Sequence, residues 1–119
     1  MSIRRWFLVA VLLGPGTAFG YTGNELLADC KDRHAATLCL GFVSGAAEGF
    51  DLGFQVGFRR GAIQVPQREA NMMYCMPDGV TTVQGKDIVV QWLERNPKER
   101  HKSAVVLVLK ALEEAYPCK

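Results

Sequence analysis

A chain of 119 residues makes one small domain, near the size at which a hydrophobic core alone is only marginally sufficient. Its 14 basic and 12 acidic residues give a formal charge of +2, but Arg4 and Arg5 lie in a segment that reads as a cleaved leader, so residues 21–119 carry 12 of each sign. That balance excludes a nucleic-acid or anionic-membrane binder working through bulk basicity.

The leader reading rests on residues 1–20. Arg4 and Arg5 form a positive start, residues 7–13 a short apolar core, and Gly14-Pro15-Gly16 a break. Ala18-Phe19-Gly20 then places small residues where a signal peptidase reads them, so cleavage is expected before Tyr21. The apolar run is far shorter than the roughly 20 residues a membrane span needs. The expected organisation is a signal peptide over 1–20 and a single helical domain over 21–119, with no membrane segment in the mature form.

Thr22 and Glu25 have capping-box spacing and open the first helix, with Leu26, Leu27 and Cys30 on one face. A polar turn over 31–37 leads to the second helix. There Gly41, Gly45, Gly49, Gly53, Gly57 and Gly61 recur every four residues, with Phe42, Ala46, Phe50, Phe54 and Phe58 one step behind. Glycine inside a helix costs about 1 kcal/mol relative to alanine, so six in register call for a reason. A bare face admits a close neighbour. Internal packing against the C-terminal helices is the favoured reading, and a dimer seam or partner groove the alternative.

Residues 61–74 carry no periodic pattern, which is long for an irregular segment in so small a domain. Exposure and irregularity there nominate Gln67, Arg68, Glu69 and Asn71 as a partner interface. Thr81 and Gln84 repeat the capping-box pattern before the third helix. Asn96, Pro97 and Glu99 supply an N-cap, a first-turn proline and an N3 carboxylate for the fourth. Ala104, Leu107, Val108, Ala111, Leu112 and Ala115 then make one apolar stripe. The expected fold is all-α, a small bundle of about four helices ending in a helical hairpin.

Four cysteines in a small exported chain are the usual signature of two disulfides. Hairpin geometry favours Cys75 with Cys118, leaving Cys30 with Cys39 as a local clip. The crossed arrangement, Cys30 with Cys118 and Cys39 with Cys75, also keeps every cysteine near a helix end and stays open.

Candidate chemistry is thin. Cys30, His34 and Cys39 sketch a zinc half-site without an evident fourth ligand. Met72, Met73, Cys75 and Met76 form a soft cluster suited to Cu(I), although methionines commonly fill gaps around a disulfide. His101 and Ser103 are two apart on the chain and point in different directions. Arg95, Glu99, Arg100 and His101 read as a solvated charge cluster locking the hairpin turn. Glu48 and Asp51, three apart, converge on one helix face, but nothing beside them marks a substrate. No arrangement meets the geometric requirements of a catalytic site, and neither a cofactor nor a metal is expected.

The segments Thr22-Gly23-Asn24-Glu25-Leu26-Leu27, Cys39-Leu40-Gly41-Phe42-Val43-Ser44-Gly45, Cys75-Met76-Pro77-Asp78-Gly79-Val80-Thr81 and Asn96-Pro97-Lys98-Glu99-Arg100-His101-Lys102-Ser103-Ala104, with the Ala115-Tyr116-Pro117-Cys118 ending, resemble the Rap/Tai immunity family of type VI secretion systems. The resemblance spans nearly all of residues 21–119. It implies a periplasmic, disulfide-bonded, non-enzymatic helical protein that binds an injected peptidoglycan amidase and blocks its active-site cleft, and it implies a homodimer. The competing readings are a periplasmic copper-handling protein using the Met/Cys cluster, and a small helical chaperone or structural protein without a cognate toxin.

Overall fold

The computed structural model describes residues 20–61 and 73–118. The leader residues 1–19 and the loop candidates Gln67, Arg68, Glu69 and Asn71 lie outside that description. Four helices follow in order: α1 Gly23–Lys31, α2 Ala36–Arg59, α3 Thr82–Arg95 and α4 Ala104–Ala115. The described residues contain no β-strand and no helix long and apolar enough to cross a membrane.

Local chemistry sets the helix starts. At α1 the Thr22 hydroxyl accepts from the Glu25 N–H at 3.3 Å, while the Glu25 carboxylate accepts from the Thr22 N–H at 2.8 Å, a complete capping box. At α3 only half of that motif forms. Thr81 Oγ1 accepts from the Gln84 N–H at 3.1 Å, and Gln84 makes no return bond.

The fourth helix begins later than its sequence signals suggest. Residues 97–101 form turns, and α4 starts at Ala104. The carbonyls that would propagate a helix from Asn96 are drawn elsewhere. Gly23 N donates to Lys102 O at 3.0 Å and Asn24 N to Arg100 O at 2.9 Å, while Ala104 N donates to Tyr21 O at 2.8 Å. Arg100 Nε reaches back to Leu93 O at 2.8 Å. The start of α1 is thereby stitched to the α3–α4 connection, with Thr22 and Ser103 forming an isolated bridge. Gly23 is needed at this crossing. A Cβ there would strike Leu107 and stand 3.1 Å from the Arg100 backbone.

The core lies where α1, α3, α4 and the first half of α2 meet. Leu26, Val89, Leu93, Ala104, Leu107 and Val108 are wholly buried. The predicted α4 stripe holds through Leu112, whereas Ala115 at the helix end is exposed. Both uncrossed disulfides are formed. Cys30 and Cys39 clip α1 to α2 with Cα atoms 5.0 Å apart, and Cys75 and Cys118 close the hairpin at 4.9 Å. Cys75 N also donates to Tyr116 O at 2.8 Å, so the open end of the hairpin is tied by backbone as well as by sulfur.

Candidate partner-binding face

At 24 residues α2 is about 36 Å long, against about 21 Å for the 14 residues of α3. Its buried residues, Cys39 and Val43, both lie near its start. Phe42, Ala46 and Ala47 pack partly against the core. Beyond them Phe50, Leu52, Phe54, Val56 and Phe58 fall at every second position, which in a helix distributes apolar side chains all round rather than along one stripe. Leu52 is 65% exposed and Val56 41%, and Leu38 on the same side near the start is 60% exposed.

The glycine ladder lies on this outer side. A Cβ added at Gly41, Gly45, Gly49 or Gly53 would meet nothing within 4 Å. Packing against the C-terminal hairpin, the favoured expectation, is therefore not what the ladder does. The rotation of α2 explains this. Cys39 is held by its disulfide to α1, and Tyr74 donates from its hydroxyl to Ala47 O at 3.0 Å, so the side carrying Cys39, Val43 and Ala47 faces the core. Gly57 is half-buried, and Gly61 lies beyond the helix at a positive φ of 70°.

On the inner flank of α2 a cleft of about 310 Å³ opens toward the start of α3. Val43, Ser44, Ala47, Glu48 and Asp51 form one wall, Val80, Thr81, Thr82 and Gly85 the other, and Tyr74, Met76 and Leu112 complete the lining. Tyr74 is only 2% exposed. Burial raises its phenol pKa, and the charge of Asp51 and a hydrogen bond with that side chain raise it further, so the hydroxyl stays a donor. Sequence reasoning noticed the Glu48–Asp51 pair but not this cleft, whose other wall comes from about thirty residues further along the chain. The available signal was Tyr74 next to Cys75, an aromatic placed beside a disulfide.

The sequence model of the Rap1a immunity proteins matches residues 22–118. The chain belongs to the Rap1a immunity protein family. No curated protein and no solved structure gives a match. Membership in a Rap1a immunity family points to protection against a secreted effector through binding of that partner protein. Two disulfides accord with an exported member.

The remaining candidate chemistry looks different once this Rap1a protein is folded. All four cysteine sulfurs are bonded to one another, so the zinc and copper sketches lose their thiolates. The described residues contain no cluster of three or more histidine, cysteine and carboxylate side chains. Glu99 pairs with Lys102 and with Lys110 at 3.8 Å, whereas Arg100 serves the Leu93 carbonyl. Glu99 and Arg100 thus both fasten the turn as expected, but the cations paired with Glu99 are Lys102 and Lys110, the latter coming up from the next helix. A smaller hollow of about 220 Å³ lies on the α3–α4 surface, where Trp92 Nε1 donates to the Glu114 carboxylate at 2.7 Å.

Proposed function

We propose that this Rap1a protein is a periplasmic immunity protein that binds an injected type VI peptidoglycan amidase and occludes its active site without catalysis of its own. The family match over residues 22–118 carries this reading. Two disulfides suit an oxidising compartment, and the reading requires export through the signal peptide of residues 1–20. Gln67, Arg68, Glu69 and Asn71 are the proposed loop contacts with the effector.

The same reading includes a homodimer seamed along the outer side of α2. A helix with apolar residues on all sides is ordinarily covered. Leu38, Leu52 and Val56 stand exposed along a side otherwise bare at Gly41, Gly45, Gly49 and Gly53. Bare positions between exposed aliphatic side chains are what lets two helices approach closely.

The test is affinity capture with oxidised residues 21–119, exposed to secreted and periplasmic fractions of the host and its competitors. Retention of a cell-wall amidase in near-stoichiometric amount, followed by inhibition of the purified enzyme, is the expected result. Retention of no amidase by correctly folded, disulfide-bonded protein would overturn the proposal.

A further inference from the structure

We infer that the Cys75–Cys118 bond is a thiol-exchange site, opened by a dithiol on the folded protein while Cys30–Cys39 stays closed, and that its opening loosens the cleft between α2 and α3. The inference goes beyond the immunity reading and does not depend on which effector is bound.

The two disulfides differ in their surroundings. Cys39 is 1% exposed and Cys30 packs partly buried against the core, so a thiol reaches that bond only after α1 and α2 part. Cys75 is exposed and Cys118 half-buried, and both lie outside the helices, before α3 and after α4. Exchange requires an attacking thiolate to reach a sulfur, so its rate follows access. Loop entropy makes the wider Cys75–Cys118 closure the more stabilising of the two, but that governs the equilibrium and not which bond is attacked first.

The more exposed Cys75 is the point of attack. A thiolate of the dithiol bonds to Cys75 Sγ, the Cys75–Cys118 bond breaks, and its electron pair leaves on Cys118 Sγ, which takes up a proton. The second thiol of the reagent loses its proton and displaces Cys75 from the mixed disulfide. The dithiol ends oxidised to a disulfide, and Cys75 and Cys118 end reduced to two thiols.

The consequence for the cleft follows from the neighbours of Cys75. Tyr74 and Met76, on either side of it, both line the cleft. Tyr74 links this segment to α2, donating to Ala47 O at 3.0 Å and sharing a hydrogen bond with Asp51. Once the sulfurs part, the covalent tie to the hairpin end gives way to the Cys75 N–H bond to Tyr116 O, a far weaker constraint. The hold of Tyr74 on α2 then slackens.

The test exposes oxidised residues 21–119, without denaturant, to dithiothreitol in one arm and reduced thioredoxin in another, with iodoacetamide quenching and peptide mapping over time. Cys75 and Cys118 should be alkylated at least roughly 10-fold faster than Cys30 and Cys39, because a buried bond waits for local opening. Selective opening in both arms assigns the site to protein dithiols as well as small ones, and opening by dithiothreitol alone assigns it to small thiols. Equal rates, Cys30 and Cys39 reacting first, or no opening in either arm would overturn the site. Hydrogen exchange on the selectively alkylated protein should rise at Cys75 and along α2 beyond Ala47, but not in α1. Unchanged exchange along α2, or exchange raised equally in α1, would overturn the link to the cleft.

Discussion

Gly23 and Glu25 show how single residues hold the start of the domain. Adding a methyl group at Gly23 presses on Leu107 and the Arg100 backbone where α1 crosses the α3–α4 turn. Overpacking of this kind costs about 1–3 kcal/mol, so G23A should lower the urea midpoint without changing the slope. Trp92, the one tryptophan in residues 21–119 and a largely buried one, reports the transition by fluorescence. Glu25 is held below the ordinary carboxylate value, first by the Thr22 backbone N–H and then by the Thr22 side chain. A carboxyl with a depressed folded pKa stabilises the fold above its unfolded value of 4.5 and loses that contribution as pH falls through the folded value. Thermal melts from neutral pH down to about pH 3 should therefore place E25Q below wild type at neutrality and converge with it in acid. Parallel curves would mean that the carboxylate is not the stabilising group.

Among the elements, caps and disulfides carry unequal weights. T22A removes the acceptor for the Glu25 N–H and should destabilise by about 1 kcal/mol, as N-cap losses generally do. The two disulfides close loops of very different size, with sequence separations of 9 and 43. Chain-entropy reasoning assigns about 3 kcal/mol to Cys30–Cys39 and about 4 to Cys75–Cys118. C75S/C118S should accordingly unfold at lower urea than C30S/C39S, and the reverse order would show that native-state tension at the Cys75–Cys118 closure outweighs its larger loop entropy. The glycine ladder of α2 yields a prediction of opposite sign. Gly45 and Gly49 have open space around them, so alanine there should gain up to about 1 kcal/mol per site in the monomer.

For the whole molecule, that gain turns into a test of assembly. If the outer side of α2 is a seam between copies, G45A/G49A stabilises each subunit yet weakens the dimer, because the added methyl groups hold the helices apart. Sedimentation velocity over a concentration series should show a shift toward monomer for G45A/G49A and a larger one for L52E, which sets a charge at an exposed leucine. Unchanged sedimentation of both variants would place the contact elsewhere.

What the sequence by itself determined was local or compositional. The capping box at Thr22, the α4 stripe from Ala104 to Leu112 and the hairpin that brings Cys75 to Cys118 depend on neighbours a few residues apart, or on two helices of similar length. Tertiary structure alone decided where α4 begins, since the carbonyls of Arg100 and Lys102 are claimed by the start of α1, more than seventy residues earlier. It also decided which way the glycine ladder faces. Periodicity places Gly41, Gly45, Gly49 and Gly53 on one side of a helix, but the direction of that side follows from Cys39 pinned to α1 and Ala47 held by Tyr74. The cleft that gathers Glu48 and Asp51 arises in the same way, from walls that the chain brings together only by folding.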